Sequence, residues 1–337
     1  MPDPIGSTLP EGHAQLVIDK FLRGRVVPFL GAGVNLCDRP QDFKWESSEQ
    51  RYFPSGWELA RELAHGFHYP DEAQACKAPP DLCLRPNADL DLARVSQYGE
   101  LTEGPGALAE RLHSIFAVGP AATRVHRFLA DLPAADFEPT RPENRSLLVV
   151  TTNYDELMEE TFPAPLKCDV VFYDPDPRNR PSRFWHKKPD GTVTKIVDPA
   201  TYEYGFFDIR PVVLKIHGTV DRSNAAREGF VITEDHYIEY LAEEALDKLL
   251  PKDVLAKLRS NHLLFLGYSL RDWNLRVFLR RVKPRFSAWA VLPSADRVEE
   301  PFWRRQEVEM NIIRVTLQTY IGGLEKELAK RGLPPNP

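Results

Sequence analysis

Short runs of apolar, largely β-branched residues that each stop at a glycine or polar motif constrain this chain most. Val26-Val27-Pro28-Phe29 leads into Leu30-Gly31-Ala32-Gly33, Leu147-Leu148-Val149-Val150 into Thr151-Thr152-Asn153-Tyr154-Asp155, and Val212-Val213-Leu214 into Lys215-Ile216-His217-Gly218. Runs this short and this apolar read as strands buried on both faces, the pattern of a parallel sheet covered by helices. In such a sheet all three motifs emerge at the carboxyl ends of strands, where ligands of open α/β folds bind. A glycine pair, an Asn/Asp pair and a lone histidine on one rim make a candidate active site.

The rest of the chain supports that frame. Leu263–Leu266, Ala288–Leu292 and Ile312–Leu317 read as further strands. Helical spacing marks Gln15–Leu22, Glu156–Phe162, Ile238–Leu250, Val254–Leu258, Trp273–Val282, Pro301–Met310 and Ile321–Arg331. Strands alternating with helices predict an α/β, doubly wound, mainly parallel Rossmann-like sheet. One domain over 14–332 is expected, behind a leader at 1–13. Residues 56–135 read as a mainly helical insertion between the first two sheet strands. Val34 to Ser55 loses periodicity and reads as a long loop, a feature that is often functional. The Pro-, Asp- and aromatic-rich 163–210 stretch reads as irregular loops or a hairpin, a loop-rich cover bordering the site.

Charge and cysteines narrow the function classes. With 43 basic and 49 acidic residues the formal charge is −6, which argues against a protein whose main task is gripping a phosphate backbone. Arg271, Arg276, Arg280, Arg281, Lys283 and Arg285 form one local basic cluster, readable as a solvated helix face or as a binding patch. Cys37, Cys76, Cys83 and Cys168 show no CxxC spacing, so neither a structural zinc site nor a disulfide framework is expected. No signal-peptide pattern opens the chain, and no stretch approaches the roughly 18 apolar residues of a membrane span. A cytoplasmic protein without membrane contact is expected.

Each motif has a chemical and a purely structural reading. The amides of Gly31-Ala32-Gly33 sit where a strand-to-helix turn approaches a pyrophosphate, although Leu36 stands where the usual third glycine would be. A tight packing turn would use the same glycines. Asn153 can hold a ribose hydroxyl or a water while staying neutral, but Asn153 or Asp155 would equally cap the next helix. His217 can act as a general base near neutral pH, or be structural. Gly267-Tyr268-Ser269 offers donors suited to ribose or phosphate, or with Asp272 simply starts a helix.

The order Gly-Ala-Gly, Thr-x-Asn-x-Asp, His-Gly, Gly-x-Ser-Leu resembles the sirtuin family, and Asp42-Phe43-Lys44 lies where sirtuins place Asp-Phe-Arg. Thr151 to Asp155 and Phe265 to Asp272 are most similar to the sirtuin-like NAD-hydrolysing effectors of bacterial antiphage defence. The resemblance runs from about Phe21 to Leu328. It implies Asn153 and His217 as the catalytic pair, with Gly31, Ala32, Gly33, Asp42, Asp155, Gly267, Tyr268 and Ser269 on the NAD. Two departures stand out. Residues 219–262 hold no cysteine, where sirtuin deacylases carry a zinc module, and Asn35 replaces a usual serine. The resemblance therefore implies a zinc-less NAD glycohydrolase, with an NAD-dependent deacylase or an idle NAD or ADP-ribose scaffold as the alternatives. It further implies a homo-oligomer, gated by the 34–55 loop or the 163–210 cover. A HerA-type ATPase or an Argonaute-like protein is the implied partner, and no direct nucleic-acid binding is expected.

Overall fold

The computed structural model describes residues 6–333 except 41, 49–50, 71–89, 133–146, 165, 177–182, 203–204, 206–209, 243–247, 269–272 and 294–308. Its strands are β1 (Val26–Leu30), β2 (Leu148–Thr151), β3 (Asp169–Tyr173), β4 (Phe184–Lys187), β5 (Val193–Lys195), β6 (Val212–Lys215), β7 (Gly218–Thr219), β8 (Gly229–Phe230), β9 (His262–Leu266), β10 (Ala288–Val291) and β11 (Met310–Ile313). A nine-stranded sheet has the order β11-β10-β9-β1-β2-β6-β3-β4-β5, and β7 pairs with β8 apart from it. From β11 to β3 every pairing is parallel; the β3–β4 and β4–β5 pairings of this sheet are antiparallel.

The fold is thus the doubly wound, mainly parallel α/β sheet that the sequence predicts. After β1 the chain builds outward through β2, and after β9 it builds the other way through β10. The switch point therefore lies between β1 and β9, and crevices of this kind hold ligands. Register brings the motifs level: Leu30 pairs with both Thr151 and Leu266, and Thr151 pairs with Lys215.

Helices α1 (His13–Leu22), α2 (Gly56–Gly66), α3 (Leu92–Glu103), α4 (Pro105–Phe116), α5 (Arg124–Asp131), α6 (Leu157–Thr161), α7 (Glu234–Ala242), α8 (Lys252–Arg259), α9 (Trp273–Val282) and α10 (Leu317–Lys330) surround the sheet. All five residues of β1 are buried because its two faces meet different cores. Val27 and Phe29 pack in one with Val254, Leu258, Phe278 and Val282 of α8 and α9. Val26 and Leu30 pack in the other with Ile18, Phe128, Ile321 and Leu324 of α1, α5 and α10. Each such side chain contributes about 1.5–3 kcal/mol of burial. A third core joins Leu59, Leu63, Val95 and Leu112 of the helical insertion to Tyr154 and Ile232, which seats α2–α4 above the sheet rim.

Four expectations need correction. The 163–210 stretch contains the hairpin that is one of its two expected readings, β4–β5, but it is not only a cover: Asp169–Tyr173 is a fully buried strand inside the sheet. Its Val170-Val171-Phe172 core was hidden by the prolines and acids around it. The last strand is Met310–Ile313, not Ile312–Leu317, because Thr316 caps α10 by accepting from the Thr319 amide at 3.1 Å. Helix α7 spans Glu234–Ala242 and starts four residues before the expected Ile238; residues 243–247 of the expected span lie outside the described residues, and Leu249 and Leu250, buried in the core, are not helical. Met310 is strand rather than helix end, while residues 301–308 of the expected Pro301–Met310 helix lie outside the described residues, as do Ser269 and Arg271. Among the described residues no helix is long and apolar enough to cross a membrane.

Candidate active site

A cavity of about 360 Å³ opens over the carboxyl ends of β1, β2, β6 and β9, roofed by Leu59, Leu92 and Phe116 of the helical insertion. Its lining holds Gly31, Ala32, Gly33, Asn153, Asp155, His217, Gly267 and Tyr268, all singled out from the sequence. Asp42 is exposed and outside the lining, and no described residue of 163–210 reaches it. The volume lies in the roughly 300–1,000 Å³ range of small-molecule sites.

The glycines close two loops on each other at the switch point. Gly31 donates its amide to Leu266 O and Gly33 to Gly267 O, both at 2.9 Å. A Cβ on Gly31 would come within 2.6 Å of Gly267 O, and one on Gly267, whose φ is +70°, within 2.4 Å of the Val34 amide nitrogen. The amides of Gly31 and Gly33 are therefore committed to the protein. They supply close backbone approach beside the cavity rather than a cradle of donors.

Beyond β2, Thr151 Oγ1 donates to Leu30 O and accepts from the Asn153 amide, both at 2.9 Å. Asn153 Nδ2 reaches Gly31 O at 3.3 Å, which orients the carboxamide at the rim. Asp155 takes the capping role: its Oδ1 accepts from the Leu157 amide at 3.0 Å and its Oδ2 from Asn35 Nδ2 at 2.8 Å. Lys215, wholly buried, clamps this loop to β6 by donating to the carbonyls of Tyr154 and Asp155 and to Glu159 Oε1 at 2.9 Å. Burial pushes the Glu159 carboxyl upward, and the Lys215 ammonium opposes this.

His217 is 5 % exposed and meets the rings of Tyr237 and Tyr240 edge-on, at centroid distances of 5.7 and 5.8 Å. Its carbonyl accepts from the Val231 amide at 2.9 Å. Gly218, at φ +90°, lets β7 approach β8 so closely that a Cβ would fall 1.9 Å from Gly229 O. Tyr237, which also lines the cavity, and Tyr240 were not anticipated. Their spacing along α7 is the available signal, but the expected start at Ile238 lies four residues after the observed Glu234 and leaves Tyr237 outside the helix.

A switch-point cavity with a close glycine crossing, an oriented carboxamide and a buried imidazole has the placement at which proteins of the doubly wound α/β class bind ligands. Residues 147–311 match the SIR2-like domain, whose members are generally NAD-dependent enzymes. The match spans Asn153, Asp155, His217 and Gly267; the Gly31–Gly33 turn precedes it yet packs directly against Gly267. No curated protein matches the chain. Among the described residues no three His, Cys, Asp or Glu side chains gather as a metal site.

Proposed function

We propose that this protein is an NAD glycohydrolase, releasing nicotinamide and ADP-ribose, and that it depletes NAD as an effector of bacterial antiphage defence. The observation that carries the reading is the placement of Asn153 and His217 in one cavity beside the Gly31–Gly267 crossing. The bond to be broken joins ribose to a pyridinium, so the leaving group departs as neutral nicotinamide. No general acid is required, unlike ordinary glycoside hydrolysis with its carboxylate pair. Asn153 positions the ribose or the attacking water, and His217 orients ribose hydroxyls and accepts the proton.

A deacylase reading finds less support, because residues 219–262 contain no cysteine for the zinc module that shapes an acyl-lysine cleft. An idle scaffold would have no need of both Asn153 and His217. An NAD hydrolase must also be held in check. We assign that restraint to the 34–55 loop, released by self-assembly or by a partner such as a HerA-type ATPase or an Argonaute-like protein. The deciding experiment measures nicotinamide release by the purified protein, alone and with extract of phage-infected cells. Asn153→Ala and His217→Ala should each lower turnover about 10²–10⁴-fold while melting temperature holds. Retained turnover in both variants would overturn the assignment.

A further inference from the structure

Opposite the cavity, at the amino ends of β1, β9 and β10, the chain gathers cations from three separate segments. The His262 amide donates to Arg25 O at 2.9 Å, the Arg25 amide to Lys20 O at 2.8 Å, and the Arg285 amide to Arg259 O at 3.0 Å. Arg259 Nε reaches Val282 O at 2.9 Å, next to Lys283. These backbone ties bring Lys20, Arg25, Arg259, Lys283 and Arg285 to one face, with Lys257 beside Arg25. Elsewhere the chain pairs its cations with carboxylates, as in Arg39–Glu58, Arg124–Glu325, Lys215–Glu159 and Arg331–Asp19. Among the described residues none of Lys20, Arg25, Arg259, Lys283 or Arg285 has a carboxylate in ion-pair reach.

Helix ends account for part of this charge. Helices α1, α8 and α9 all finish here, and each C-terminus carries about half a negative charge. Three helix ends offset roughly one and a half of the cations, so most of the positive charge is left over. Among the described residues, Glu309, exposed before β11, and Asp19, paired with Arg331, are acids at the margin. The local field is accordingly positive: burial and the Arg25 charge hold Lys257 down at about 8, and burial followed by the Lys20 charge lowers His262 despite its bond to Ser287 O. The overall charge of −6 conceals this segregation.

Aromatic rings stand among the cations. Phe286 is 44 % exposed and packs against His262 at 5.1 Å, and His262 stacks on Trp289 at 4.9 Å and 23°. We infer that this face is a docking surface for single-stranded nucleic acid, with phosphates on Arg25, Lys283 and Arg285 and a base on Phe286. An acidic polypeptide would use the charges but does not present a flat ring beside each negative charge, as a single strand does with its base next to every phosphate. A duplex keeps its bases stacked inside, away from Phe286. Stacking on aromatics beside a basic track is how proteins hold single strands without reading sequence.

The test is fluorescence anisotropy of the full chain with a labelled oligothymidylate of about sixteen nucleotides. Binding should weaken linearly in log salt, as expected when cations displace counterions from phosphates. Arg25→Glu with Arg285→Glu should weaken binding at least about tenfold, and Phe286→Ala about fivefold, with melting temperatures unchanged. Lys188→Glu, on the β4–β5 turn, should stay within about twofold of wild type. Three results would each overturn the inference. They are no binding at about 50 mM salt, charge reversal without effect, or displacement by polyglutamate at equal charge concentration. A duplex that binds as tightly and ignores Phe286→Ala would overturn it as well.

Discussion

At the scale of single residues, the site depends on groups that touch no ligand. Lys215 has no exposed surface, and its ammonium ties the Tyr154 and Asp155 carbonyls and Glu159 to β6, beside the Val220 amide that donates to Tyr154 O at 2.9 Å. Removing one member of a buried charge pair strands the other, at about 3–5 kcal/mol. Lys215→Met should therefore lower stability by about that amount and abolish turnover through the displaced Asn153 loop. Adding Glu159→Leu should restore much of the stability, because the stranded carboxylate is gone. Urea denaturation of both variants reads this directly, and equal stability of the single and double variants would count against the clamp. Asn153 and His217 could be picked from their positions at the ends of apolar runs. Lys215 could not, since its burial follows from the β2–β6 pairing.

At the scale of elements, the 34–55 loop is held to α2 through the Glu58 carboxylate, with Arg61 Nη2 donating to Trp45 O at 3.3 Å beside it. Glu58 Oε2 accepts from the Ser55 amide at 2.8 Å and from Arg39 Nη1 at 2.7 Å, while Ser55 Oγ caps the Glu58 amide at 3.3 Å. Burial works to raise this carboxyl, but Arg39 and Ser55 outweigh it and hold it at about 2, from an ordinary value of 4.5. A carboxyl lowered on folding stabilises fully above its unfolded value, so the contribution is lost as pH falls from about 4.5 to about 2. Trp45, whose Nε1 donates to Tyr52 O at 3.0 Å inside the loop, should report the release by fluorescence. In Arg39→Ala the same transition should move to higher pH, and amides of 36–58 should exchange faster at neutral pH. An unmoved transition would sink the latch. Since Leu36 and Ser55 both line the cavity, this latch is where gating would act.

At the scale of the whole molecule, stability should decline below neutrality for a reason outside the cavity. His126 is 1 % exposed at the start of α5, its Nδ1 within 2.9 Å of Thr123 Oγ1. Burial lowers it to about 4 from 6.5, against the opposing pull of the Asp155 charge. A base lowered on folding takes up protons on unfolding. Its stabilising share is therefore complete above about pH 6.5 and is lost as pH falls toward 4, by up to about 3 kcal/mol. Urea midpoints measured from pH 7 to pH 4 should fall in wild type and flatten in His126→Asn. Parallel curves would remove His126 as the cause.

What the sequence determined by itself is local. Apolar runs ending at Gly31, Thr151, Lys215 and Gly267 are strands because each is too short and too apolar for anything but a sheet buried on both faces. The α/β class and the glycine, Asn153, Asp155 and His217 positions of the cavity lining follow from that pattern. Only the tertiary structure decided which ends meet. The fit of Gly31 and Gly33 onto Gly267 exists because β1 pairs with β9, a partner far along the chain that no local pattern names. The same holds for β3 inside the sheet, for Asp42 outside the cavity, and for cations of three segments on one face. Periodicity reports which side of an element is buried; strand order and register decide what it is buried against.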